Sequence, residues 1–254
     1  MDAILLAGGV PAPDSPLYSY TEGKNKATLE IGGKPMLQWV IEALENSSSI
    51  ENIVVVGCEE YQDKIMLSKP AYFIPAGGDI ITNFQLGADA ILQISPEADS
   101  VVIVSSDIPL LSPASIDWVI DKSLESDHDL YYCVIDQKVM EAQYPESGRS
   151  YTQLKDINVC GGDLSIVKLS LYTSNPRFWG KLFRARKSSF RQAALIGIDI
   201  LLLLVLRRLT FNKIVQKVTR RLKITGQGLI CPYAELGMDV DKPHQLELAR
   251  KELS

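Results

Sequence analysis

The chain has 254 residues, with 26 Lys and Arg against 31 Asp and Glu, a formal charge of −5. A hydrophobic content of 46% and a charged content of 22% exclude a disordered or collagen-like protein. The length is ample for a sizeable core and suits a single domain over 1–254 with an insertion.

The charge is segregated. From Arg177 to Lys223 there are 13 basic residues and one acid, Asp199, a balance of +12, which leaves the rest of the chain at −17. The four cysteines are widely spaced with no C-x-x-C pair, and His128 and His244 are the two histidines. That leaves few zinc ligands and predicts free buried thiols in a reducing compartment. The N-terminus lacks the basic region of a signal peptide, so cytoplasmic residence is the expectation.

In chain order, Ala3–Leu6, Ile53–Val56, Tyr72–Ile74 and Val101–Val104 are β-rich runs followed by turn residues. Between them lie helical faces: Met36, Leu37, Val40, Ile41 and Leu44; then Phe84, Ala88, Ile91 and Leu92; then Ile116, Val119, Ile120 and Leu124. Pro35 and Pro113 sit at helix starts. The alternation predicts a three-layer α/β/α domain with a mostly parallel sheet and a ligand site beyond the strands' C-terminal ends. After a strand at Leu130–Asp136, the polar 137–157 reads as loop, Cys160–Asp163 as a tight turn and Ser165–Tyr172 as a strand. A basic helical insert at about 175–225 follows, with helices expected at Phe178–Lys187, Phe190–Leu206 and Thr210–Leu222. A strand at Leu229–Cys231 and a last helix opened by Lys242-Pro243 complete the pattern. The apolar Ala193–Leu206 is shorter than the roughly 18–20 residues that span a bilayer.

The first strand runs into Ala7-Gly8-Gly9, where glycines let backbone N–H groups approach a phosphate closely. Lys26 precedes a short strand, a second Gly-Gly turn and a Pro-started helix, a place from which an ammonium reaches back over the first loop.

Leu6-Ala-Gly-Gly9 followed by Lys26-Ala-Thr-Leu-Glu-Ile-Gly-Gly-Lys-Pro-Met-Leu37 resembles the MobA-like nucleotidyltransferases of the GT-A fold. Four further places match in order: Gly77-Gly78 with Asn83 to Gly87, Ser105-Ser-Asp-Ile-Pro109, Gly161-Gly-Asp163, and Met238-Asp-Val-Asp-Lys-Pro-His-Gln-Leu246. The chain departs from the family pattern at Gly9–Tyr18, which is proline-rich and lacks the usual Gly and Arg, at Asn25 and at Asn83.

The resemblance implies a Rossmann-like, Mg²⁺-dependent enzyme that joins an NMP unit from an NTP to a phosphorylated acceptor and releases pyrophosphate. It implies nucleotide contacts from Leu6, Ala7, Gly8, Gly9, Lys26, Gly77, Gly78, Asn83 and Gly87, with Lys24 filling the place of the absent arginine. Lys26 and Asp107 are the expected catalytic residues, and Asp107, Asp239 and Asp241 the expected metal ligands, with Asp239 chosen over Asp241 as the second. Lys34 reads as a solvated helix-start charge and Asp163 as a turn residue; an N-cap role for Asp241 competes with metal binding. Two other readings stay open: a nucleotide-binding module without catalysis, and, less favoured, a GT-A glycosyltransferase.

No nucleic-acid module is evident. The basic stretch at 177–223 reads first as a solvated helix face, more sharply as a peripheral membrane contact, and thirdly as a pocket for the anionic acceptor.

Overall fold

The computed structural model describes residues 1–65, 67–174 and 197–254. The chain opens with β1 (Asp2–Leu6), α1 (Tyr18–Thr21), the small hairpin β2 (Glu30–Ile31) and β3 (Lys34–Pro35), then α2 (Met36–Asn46), β4 (Ile53–Val56) and β5 (Ala71–Ile74). It continues through α3 (Ile80–Ile94), β6 (Ser100–Ser105), α4 (Pro113–Leu124), β7 (Leu130–Asp136), α5 (Gln137–Gln143), β8 (Thr152–Gln153) and β9 (Asn158–Lys168). The remaining described elements are α6 (Leu169–Ser174), α7 (Ile198–Val205), α8 (Phe211–Leu222), β10 (Gly226–Cys231) and α9 (Pro243–Glu252).

The main sheet runs β10-β7-β9-β6-β1-β4-β5, with β8 paired to β9 off this path. Its neighbours are parallel except along β9, which runs against β6, β7 and β8. Both faces are covered, which is why the inner strands read as unbroken apolar runs. Successive residues of a strand point to opposite faces. Leu5, Val55, Val102 and Val104 therefore meet the layer of Leu37, Ile41, Ile116 and Ile120, while Ile4, Val54 and Val56 meet Phe84, Ala88 and Ile91 of α3. The predicted faces of α2 and α3 are the buried ones, each large side chain contributing about 1.5–3 kcal/mol. On α4 the face stops at Ile120, because Leu124 lies at the helix end and is 72% exposed.

Three expectations change. Within 137–157, read as loop, Gln137–Gln143 is a helix: Asp136 caps it by accepting the Lys138 N–H at 2.9 Å, and Met140 is fully buried. Cys160–Asp163 is no turn but the middle of β9, with Gly161 opposite Val134 at an irregular register. Its glycines answer to packing, since a Cβ on Gly161 would lie 2.5 Å from the Tyr132 hydroxyl. The strand expected to reach Tyr172 ends at Lys168, and α6 then buries Leu169 and Leu171 against the α3 side. Of the three insert helices, the first and the front of the second lie outside the described residues. α7 and α8 match the rest and pack Ile200, Leu209 and Phe211 against Val134, Leu154 and Val159.

Candidate active site

The C-terminal ends of β1 and β6 lie side by side, Leu6 opposite Ser105. The chain leaving β6 stays tied to β1, because the Ser106 N–H bonds the Leu6 carbonyl at 3.1 Å. This sets Asp107 beside the Ala7-Gly8-Gly9 loop. The closing segment then docks on it: the Val240 N–H donates to the Asp107 carbonyl at 2.8 Å, and Val240 itself is buried below. Alternation along this extended stretch turns Asp239 and Asp241 toward the site.

Lys26 enters from the other side. Its backbone N–H donates to the Gly9 carbonyl at 2.9 Å. Asn25 anchors the approach twice, donating to the Ala7 carbonyl at 2.5 Å and accepting the Ala27 N–H at 2.9 Å. The Lys26 ammonium lies 2.7 Å from Asp107 Oδ2 and 2.6 Å from Asp241 Oδ1. Burial works against its charge, but Asp107 and Asp241 outweigh it and hold the ammonium above its ordinary pKa. Lys26, Asp241 and the loop from Gly9 to Ser15 line a cavity of about 240 Å³.

On the other flank of the glycine loop stands Asn83, which is buried near the start of α3 and accepts the Gly77 N–H at 2.7 Å. A Cβ on Gly8 would come within 2.6 Å of the Asn83 amide nitrogen, so the glycine loop and the Gly77-Gly78 turn meet over this side chain. Gly78 has φ +94°, a conformation open to glycine. Asp79 caps α3 through bonds from the Ile81 and Thr82 N–H groups, both 3.1 Å.

Other expected residues fall elsewhere. Gly87 is buried against Ile4, where a Cβ would come within 2.5 Å; it sets the close approach of α3 to β1 rather than facing the loop. Lys24 is exposed on the turn before Lys26. Lys34 pairs with Glu42 and covers the Trp39 ring at 3.5 Å, away from the cluster. Asp241 is not the cap of α9: that helix is capped at Lys242, with Gln245 accepting the Asp241 and Lys242 N–H groups at 3.0 and 2.9 Å.

Two residues join the cluster against or beyond expectation. Arg149 reaches 90 positions along the chain to pair with Asp239, and also donates to the Gly161 carbonyl at 3.1 Å. Ser147, whose carbonyl accepts from the Gln245 amide at 3.1 Å, ties its loop to the start of α9. The signal for Arg149 was weak, one of three cations in a polar stretch read as loop. Asp163, expected in a turn, sits on β9 with one carboxylate oxygen buried and unpartnered. Burial, then the charges of Asp107 and Asp239, push it up to about 7, against the pull of Arg149. Burial also raises Asp239 despite Arg149, whereas at Asp241 burial acts upward but Lys26, Asp239 and Arg149 together outweigh it and lower the carboxyl.

The cluster thus gathers four carboxylates and two cations at the strand ends. All its anionic donors are hard oxygens, the kind that hold Mg²⁺ rather than zinc. Asp107 Oδ1 is buried with no hydrogen-bond partner, so it retains a donor for a cation. Among the described residues no three His, Cys, Asp or Glu side chains form a ready-made metal cluster. Mg²⁺ commonly takes one or two carboxylates and completes its shell with water and substrate phosphate, so the donors present fit it. The cysteines are all buried and free, and burial pushes Cys58 and Cys231 up to about 12, where the reactive thiolate is scarce. No helix among the described residues is long and apolar enough to cross a membrane.

A probable molybdenum cofactor guanylyltransferase of Pyrococcus furiosus is 31% identical over 123 residues, 48% of this chain and 55% of the relative. A 3-deoxy-manno-octulosonate cytidylyltransferase of Geotalea daltonii is 30% identical over 112 residues, 42% of each chain. The chain thus spans about half the length of the curated relatives it matches. A hypothetical transferase from Thermus thermophilus superposes with a TM-score of 0.82 at 28% identity, covering 96% of this chain and 98% of that one. A CMP:2-keto-3-deoxy-manno-octonic acid synthetase solved with CTP shares the fold at a TM-score of 0.59 and 14% identity, covering 99% and 98%. Residues 3–194 match the MobA-like NTP transferase domain, and the chain belongs to that nucleotidyltransferase family.

Proposed function

We propose that the chain transfers an NMP unit from an NTP to a phosphorylated small-molecule acceptor and releases pyrophosphate. The observation that carries this reading is the Lys26 ammonium held between Asp107 and Asp241 at the mouth of the Gly8-Gly9 loop. An ammonium has three N–H donors, and two carboxylates take two of them, leaving one for a phosphate oxygen. Glycine-loop N–H groups supply further donors for the β- and γ-phosphates. The acceptor phosphate is largely dianionic at neutral pH, its second pKa being about 6. It attacks the α-phosphorus without a general base, and catalysis is positioning and charge stabilisation. Asp107 and Asp241 would hold Mg²⁺, with Asp239 beside them; when bound, the ion neutralises charge on the triphosphate. Arg149, raised by Asp239 even though burial opposes it, keeps its cation on the β9 side, where the acceptor phosphate would lie.

The insert supports a second contact, peripheral docking on an anionic membrane surface. Leu202, Val205 and Leu206 are 58%, 81% and 50% exposed, next to the exposed Arg207 and Arg208 and to the Lys213, Lys217 and Arg220 face of α8. Vesicle flotation with and without anionic lipid at low salt tests it, and no binding to anionic vesicles removes it.

For the transfer itself, each NTP with Mg²⁺ is screened by thermal shift, then with phosphomonoesters for pyrophosphate release. One NTP should stabilise the protein and support release. No Mg²⁺-dependent binding and no release with any pair overturns the reading.

A further inference from the structure

Strand β9, which carries Gly161 and Asp163, forms with β7 and β10 one wall of a second cavity, about 300 Å³, closed on the other side by α8. Its lining is apolar over most of its surface: Leu130 and Val134 from β7, Leu154 and Val159 from the β8–β9 hairpin, and Ile214 and Val218 from α8. Tyr132 and Gly161 also line it. The Gly161 carbonyl there holds Arg149, and Asp163 follows two residues on along the same face of β9, about 7 Å away. The cavity lies beneath α8 and therefore meets the cluster at Gly161, the residue that Arg149 binds.

We propose that this cavity receives an aliphatic chain borne by the phosphorylated acceptor, so that the acceptor is an amphiphilic phosphate ester. The inference rests on the nucleotidyl-transfer reading for the acceptor's phosphate, and on the cavity alone for its tail. Charge and polarity divide around the cavity as such a molecule requires. Arg149 supplies a cation beside Gly161, the lining is hydrocarbon, and the outer face of α8 presents Lys213, Lys217 and Arg220. A volume of this size is typical of small-molecule pockets. At ~30 Å³ per methylene, close to the share of a water molecule, it takes roughly ten carbons.

The test is calorimetric binding of n-alkyl phosphates from butyl to dodecyl to the full chain without nucleotide, with inorganic phosphate and decanol as controls. Affinity should rise about fourfold per methylene and level off near ten carbons. Val218→Phe and Ile214→Phe, which fill the cavity from α8, should each flatten the series by at least tenfold at decyl phosphate. The NTP thermal shift should stay unchanged in both, which also shows that the variants fold. A series flat in chain length, or one that both variants leave intact, overturns the proposal. Decanol binding as tightly as decyl phosphate overturns the link between tail and phosphate. Failure of the transfer reading shows separately, as absent NTP binding and pyrophosphate release, because the chain-length series needs neither.

Discussion

Asp163 offers a sharp physical test of the cluster. Its carboxyl is moved from 3.8 to about 7, first by burial and then by Asp107 and Asp239. Between roughly pH 4 and pH 7 the native protein keeps a proton that the unfolded chain has lost, so this group makes stability fall as pH rises through that window. Below it both states are protonated and the effect vanishes. At ~1.4 kcal/mol per unit, about three units set a ceiling near 4 kcal/mol at pH 8, which solvent at the open cleft screens to about 1–3 kcal/mol. Asp163→Asn is a neutral isostere of the protonated acid. Its advantage should be smallest near pH 4.5 and grow to that margin at pH 8, a shift of roughly 0.5–1 M in the urea midpoint. Urea unfolding of both proteins from pH 4.5 to 8.5, without divalent cation, measures the difference, and carboxylates remote from the cluster cancel between them. A variant no more stable than the parent at pH 8, or one whose advantage shrinks as pH rises, would refute the reasoning.

Lys26→Met removes the cation between Asp107 and Asp241, and pyrophosphate release should fall by about 10²–10³ with the circular dichroism unchanged. Gly8→Ala places a methyl against the Asn83 amide, so NTP-dependent thermal shift should disappear while the protein still folds; retained NTP binding would contradict the close meeting of the two loops. Asn25→Ala loses the bonds to the Ala7 carbonyl and the Ala27 N–H and should cost about 1–3 kcal/mol in denaturant unfolding. Mg²⁺ titrated into the NTP-free protein at pH 7 should raise the melting temperature with concentration, and Asp107→Asn should abolish the rise; an equal rise in the variant would move the ion elsewhere.

The alternating runs from Ala3 to Leu124 determined the doubly covered sheet, because periods of 2 and 3.6 are local and each buried face shows in its own window. The Gly8-Gly9 loop, Lys26, Asp107 and Asp241 were legible for the same reason: each stands at a strand or helix end that the pattern marks. Their meeting was not, since the Lys26 contact to Asp241 spans 215 residues and depends on the Val240 bond to Asp107. Gly87 looked like a site residue because spacing does not tell a glycine that meets a ligand from one that meets Ile4. Arg149 and Asp163 were decided by tertiary structure alone. The reversed strand β9 carries Gly161-Gly162 extended rather than turned, which brings Asp163 under Asp107 and Asp239 and gives Arg149 a carbonyl and a carboxylate to bind. Such a pairing satisfies buried charge across elements remote in sequence, and no local period encodes it.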